Sequence, residues 1–132
     1  MTLVVDASVL VAALLDTGDA GRWAESLIAS DTIAAPELAM VETTNVLRRL
    51  ERANETSSFE ATLAQRNLMS LDIQLFPFSP FADRIWALRN NITSYDAWYV
   101  ALAEALDCPL ATLDQKLGRA NGAKCSFLSG PG

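Results

Sequence analysis

The first fifteen residues, Met1–Leu15 ("MTLVVDASVLVAALL"), set a short β-rich apolar run against a helix-length apolar stretch, with Asp6 at the join. The run "TLVV" (Thr2–Val5) is continuous rather than alternating, as expected of a strand covered on both faces. "ASVLVAALLD" (Ala7–Asp16) is long enough for a helix. A strand that passes straight into a helix opens a crossover unit, in which consecutive strands run parallel.

The same alternation continues outward. "DAGRWAESLIAS" (19–30) is an amphipathic helix with Trp23, Leu27 and Ile28 on one side, and "DTIAAP" (31–36) is a second strand. "ELAMVETTNVLRRLERAN" (37–54) is a long helix with Pro36 placed at its first turn. "SSFEATLAQRNLMSL" (57–71) is a helix capped by Ser57 or Ser58, with Glu60 near the capping-box position. "IQLFPF" (73–78) is a third strand stopped by Pro77, and "PFADRIWALRNN" (80–91) is helical. "TSYDAWYVALAEAL" (93–106) is a buried helix, "PLATL" (109–113) a fourth strand and "DQKLGRAN" (114–121) a short helix. "KCSFL" (124–128) is a fifth strand, and the tail "SGPG" (129–132) is expected to fray. The fold class is α/β, a single domain over 1–132 with a parallel sheet covered by helices on both faces. In such folds ligands bind beyond the carboxyl ends of the strands, where the strand order reverses.

Composition narrows the chemistry. Of 132 residues, 51% are hydrophobic and 20% charged, which is globular rather than disordered. No apolar run reaches the roughly 18 residues of a membrane span. The start carries no basic region of a secretory signal, so a cytoplasmic location is expected. There is no histidine, which excludes hydrolases built on an imidazole base and the usual Cys/His zinc sites. Cys108 and Cys125 lack C-x-x-C spacing and are read as ordinary buried small residues. Catalysis is left to carboxylates, hydroxyls, lysine or arginine, with a hard metal ion expected. The net charge of −6 runs against a nucleic-acid partner, unless several acids share a cation that offsets them locally.

Four acids stand where such a site would form. Asp6 closes the first strand and Asp114 follows the fourth, "PLATLDQKL". Each is also a good helix N-cap. In a doubly wound sheet these two strands are central neighbours, so both side chains meet one crevice. Glu42 lies in the third helix and shares a face with Asn45 and Arg49 at i+3 and i+7. Asp96 occupies the first turn of its helix, where the helix dipole favours it by under about 1 kcal/mol. Ser8 and Thr112 are supporting polar groups. Acids brought together without histidine or thiolate repel one another, and a divalent cation removes the conflict. Mg2+ or Mn2+ takes oxygen ligands and can activate water for in-line attack on a phosphodiester.

"VVDASVL", the E-x-x-N of Glu42–Asn45, "YDAWYVALAEAL" and "PLATLDQKL" together resemble the PIN-domain ribonucleases, and more narrowly the VapC toxins of bacterial toxin–antitoxin pairs. The resemblance covers nearly the full chain. It implies a three-layer α/β/α sandwich with a five-stranded parallel sheet in the order 3-2-1-4-5. It implies that Asp6, Glu42, Asp96 and Asp114 surround one or two Mg2+ or Mn2+ ions and cleave RNA with activated water. It also implies a homodimer and a VapB-type antitoxin whose C-terminal segment lies in a groove near the site. Arg22, Arg48, Arg49, Arg52, Arg89, Lys116 and Arg119 are the basic candidates for RNA, with Arg49 and Lys116 nearest the expected crevice.

Other acid-bearing folds fit less well. A receiver domain needs a second acid beside the first, and Val5 precedes Asp6. An adhesion-type module needs D-x-S-x-S, and a haloacid-dehalogenase-type phosphatase needs D-x-D. The chain reads Asp6-Ala7-Ser8-Val9-Leu10. The alternative that remains is a PIN-like module that binds RNA or acts as a scaffold without turnover.

Overall fold

The computed structural model describes residues 1–131. Five strands, β1 (Thr2–Val5), β2 (Thr32–Pro36), β3 (Ile73–Phe76), β4 (Leu110–Thr112) and β5 (Phe127–Ser129), form one sheet in the order 3-2-1-4-5. Every pairing is parallel. Six α-helices connect them: α1 (Ala7–Leu15), α2 (Asp19–Ser30), α3 (Leu38–Arg52), α4 (Ser58–Ser70), α5 (Ala82–Ala87) and α6 (Ser94–Leu106).

Crossover handedness assigns the helices to layers. From β1 to β2 to β3 the chain steps in one direction across the sheet, so right-handed crossovers put α1–α4 on one face. From β3 it jumps back past β1 to β4, which puts α5 and α6 on the other. The packing agrees: α1 touches α2, α3 and α4, whereas α6 lies on β1, β2 and β4 with α5 beside it. The result is the expected α/β/α sandwich. The chain leaves β1 and β4 in opposite directions, so their carboxyl ends flank a crevice.

The core is built from the continuous apolar strands. Leu3, Val4, Val5, Ile33, Ala34, Ala35, Leu110 and Ala111 are all buried. On α6 the buried set runs Ala97, Tyr99 through Ala103, which pins that helix against the sheet centre. Ser57 is the N-cap of α4, accepting from Glu60 N–H at 3.0 Å and donating to the Glu60 carboxylate at 3.0 Å.

Several boundaries differ from the sequence reading. Pro36 ends β2 and α3 starts at Leu38, so the proline precedes the helix instead of opening it. The segment 80–91 divides into a 3-10 turn (Ser79–Phe81), α5 and further turns. The segment 114–121 yields only a 3-10 turn at Leu117–Arg119, because Asp114 caps a tight turn instead of a helix. The fifth strand starts at Phe127, three residues later than expected. Cys108 and Cys125 are half-buried rather than enclosed. In the tail, Ser129 belongs to β5 and Gly130 N–H donates to Thr112 O at 3.2 Å, while Gly132 lies outside the described residues.

Candidate active site

Asp6 sits where β1 turns into α1, and it is 6% exposed. Its backbone is extended, and its side chain caps the helix by accepting from Val9 N–H at 3.3 Å. The same oxygen, Oδ1, accepts from Ser8 Oγ at 2.5 Å. The other oxygen accepts from Thr112 Oγ1, at the end of β4. The Asp6 N–H in turn donates to Ala111 O at 3.3 Å, which fixes the two central strands together at this point. Burial pushes the Asp6 carboxyl up, opposed by the hydrogen bonds from Ser8, Thr112 and Val9.

The two hydroxyls extend this network into the turn after β4. Thr112 Oγ1 accepts from Asp114 N–H at 2.9 Å, and Ser8 Oγ accepts from Leu113 N–H at 3.0 Å. Asp114 is exposed, and its carboxylate accepts from the N–H groups of Lys116 at 2.9 Å and Leu117 at 3.3 Å.

Asp96 enters from the opposite layer. Thr93 caps α6 by accepting the Asp96 N–H at 3.1 Å, and the half-buried Asp96 carboxylate has no hydrogen-bond donor among the described residues. Its pKa is raised first by burial and then by the charges of Asp114 and Asp6. Those two acids are therefore within electrostatic reach of it.

Glu42 arrives from α3 and accepts from the Tyr99 hydroxyl at 2.5 Å. Tyr99 is buried to 1% exposure in α6, one turn beyond Asp96. Its hydroxyl is held strongly in the protonated form by burial, by donation to Glu42, and by the charges of Glu42, Asp6 and Asp96. This tyrosine is the residue that sequence reasoning missed. The available signal was its i+3 spacing from Asp96, which puts both on one face of the helix.

Asp6, Asp96, Asp114, Ser8 and Thr112 thus gather at the crevice, with Glu42 joined through Tyr99. Asn45 stays outside the network: it is exposed and lines a shallow surface groove with Met40, Val41, Thr44 and Arg48. Arg49 and Lys116 are exposed and make no ion pair among the described residues. Lys116 lies in the turn capped by Asp114, so its side chain starts at the rim.

A PIN domain model matches residues 3–123. The chain belongs to the PIN-domain family. Within it, the chain falls with the VapC ribonucleases. Ribonuclease VapC1 of Mycobacterium tuberculosis is 40% identical over 125 residues, covering 94% of this chain and 94% of that protein. Ribonuclease VapC9 of the same organism is 38% identical over 123 residues, covering 93% and 94%. Among solved structures, VapBC2 of Rickettsia felis bound to promoter DNA is similar at a TM-score of 0.69 and 15% identity, over 99% of this chain and 100% of that one. VapC20 of Mycobacterium tuberculosis, a toxin that cleaves the sarcin–ricin loop, is similar at a TM-score of 0.66 and 16% identity, over 88% and 92%. These last two likenesses speak for the PIN fold.

The acids of this PIN domain fit a hard divalent cation by their chemistry. All the donors are oxygens, and the neighbouring charges that burden Asp96 are the kind a cation relieves. Among the described residues no three Cys, Asp or Glu side chains are drawn close enough to hold one ion between them. No helix is long and apolar enough to cross a membrane among the described residues.

Proposed function

We propose that this chain, a single PIN domain over 1–132, is a Mg2+- or Mn2+-dependent endoribonuclease and the toxin of a type II toxin–antitoxin pair. The observation that carries the reading is that Asp6 and Asp114 lie within electrostatic reach of Asp96 near the switch point of the sheet, where burial and then their charges raise its proton affinity. Asp6 and Asp96 would hold the cation. Glu42 and Asp114 would support it, directly or through water. Bound there, the ion supplies a nucleophilic water near neutral pH and neutralises charge on the phosphodiester.

The chain's own residues do the rest. Ser8 and Thr112 fix both oxygens of Asp6, so that carboxylate keeps one orientation. Tyr99 holds Glu42 in place and, staying protonated, only donates. Glu42 is the group suited to orient the attacking water. Arg49 and Lys116 are the candidate contacts to the RNA backbone, each contributing a salt-sensitive attraction.

The VapB-like antitoxin of such a pair takes the cavity of about 640 Å³ beside Ser8, lined by Val11, Leu15, Val46, Leu50 and Leu113 among others. Exposed Val41, Phe78, Trp86 and Tyr95 offer apolar surface for a homodimer. A cytoplasmic location follows from an RNA substrate.

The test uses purified, partner-free protein incubated with total RNA and Mg2+ or Mn2+. Cleavage is expected, and it should disappear with EDTA and with Asp6→Ala. Cleavage unchanged under both controls would overturn the metal-nuclease reading.

A further inference from the structure

Far from the acids, at the amino-terminal end of the sheet, the chain brings its only two cysteines together. β4 and β5 pair as Leu110 with Phe127, Ala111 with Leu128 and Thr112 with Ser129. Cys108 and Cys125 each stand two residues before the first paired residues of these strands. The Leu110 N–H donates to Ser126 O at 2.9 Å, so the two chains are still joined just before the strands begin. Adjacent strands lie about 4.8 Å apart, and disulfides span Cα separations of roughly 4.4–6.8 Å.

Two further observations agree. Both thiols are free and half-buried, and both line one cavity of about 440 Å³ with Glu104, Asp107, Pro109 and Lys124. The one carboxylate there with strong partners, Glu104, is already taken by Arg84 at 2.7 Å and by the Lys124 N–H at 2.7 Å.

We infer that Cys108 and Cys125 are an oxidisable pair, a modification site that closes into a disulfide across the entrances of β4 and β5 when a small-molecule disulfide is present. One cysteine thiolate attacks the small disulfide, whose S–S bond breaks to leave a mixed disulfide and a small thiolate that takes up a proton. The other cysteine, as thiolate, then attacks the mixed disulfide and displaces the second small thiol. The protein loses two S–H bonds and gains one S–S bond, and the small disulfide is reduced to two thiols.

The surroundings set the rate. Burial pushes both thiols up, and Cys125 reaches about 11 with the added charge of Glu104. Asp107 acts against the Cys108 thiolate as well, and Lys124 is the basic side chain on this cavity. Thiolate is scarce near neutral pH, so exchange is slow and closure needs prolonged exposure to the oxidant. The loop that closes, 108–125, contains Thr112 and Asp114, and it secures the short outer strand β5.

The full-length reduced protein is incubated with glutathione disulfide, its remaining thiols are alkylated, and peptides are mapped by mass. The expected product is a species whose two cysteines resist alkylation, carrying a linked Cys108–Cys125 peptide within one chain. Its Tm should rise by about 10 °C and fall back on reduction. Cys108→Ser and Cys125→Ser should each stop at a mixed disulfide without that rise. A double Cys108→Ala, Cys125→Ala variant should ignore the oxidant. Two thiols still open to alkylation, glutathione adducts that never resolve, or links only between copies would each overturn the inference.

Discussion

Asp96 and Tyr99 share a helix face and differ in what holds them, so their variants separate charge from positioning. Asp96 accepts no donor among the described residues and is burdened by burial, Asp114 and Asp6. Asp96→Asn keeps its shape and removes that burden. The metal-free protein should gain up to about 1 kcal/mol, after allowance for solvent screening, while RNA cleavage is abolished. Chemical denaturation with EDTA present measures the first and a gel assay the second; a clear loss of stability would contradict the placement of this carboxylate. Tyr99→Phe keeps the buried ring and deletes one hydroxyl, leaving Glu42 without its 2.5 Å donor. A hydrogen bond to a charged group is worth about 1.5–3 kcal/mol, so a loss of that size is expected. If Tyr99 positions Glu42, kcat should fall roughly tenfold, about 1.4 kcal/mol, with KM for RNA unchanged. A variant that loses stability alone would reduce Tyr99 to a core residue.

The α1–α2 connection carries the most restrictive local geometry. A Cβ on Gly21 would stand 1.8 Å from the carbonyl oxygen of Asp16, a backbone atom that cannot swing aside. Gly21→Ala should therefore force α2 away from α1 at a cost of about 1–3 kcal/mol or more, read as a lower denaturation midpoint with an unchanged slope. That contact was invisible in the sequence, because it depends on how two helices meet. What was legible is what repeats locally: continuous apolar strands, helix-length stretches, and acids at the strand ends. The strand order came from resemblance, and periodicity alone would have left it open. Asp6 could be placed because a strand end is a position in the sheet as well as in the chain. Glu42 could be assigned to a helix face, but its partner, Tyr99, lies 57 residues away. Asn45 shares the i+3 face of Glu42 yet is exposed in a surface groove with Met40, Val41, Thr44 and Arg48, and spacing along one helix does not show which neighbour covers its face. The turn at Leu117–Arg119 was overestimated as a helix because Asp114 caps both kinds of turn equally well.

Sixteen acids against ten basic residues leave the molecule at −6, and its carboxylates respond to pH in two opposed ways. Asp6 and Asp96 have folded pKa values above the ordinary 3.8, both chiefly through burial. Between 3.8 and those raised values the folded chain binds more protons than the unfolded one, so their contribution weakens stability as pH rises. Glu104 runs the other way. Burial acts against it, but the bonds from Arg84 and Lys124 hold it below the ordinary 4.5, and its stabilisation is lost only as pH falls through that lower range. Above the ordinary carboxylate range the site acids dominate, so the metal-free protein should become less stable as pH rises through their raised values, until both acids are ionised. A cation bound by Asp6 and Asp96 favours their ionised forms and adds a binding contribution that grows as they deprotonate. With saturating Mg2+ or Mn2+ the slope should flatten or reverse, and the gain in Tm should be larger at pH 7 than at pH 5. Thermal melts across that range, with EDTA or with metal, make the measurement. Asp96→Asn should flatten the EDTA curve by itself and lose most of the metal-dependent gain. Parallel curves with and without metal would place the cation, if any, away from these acids.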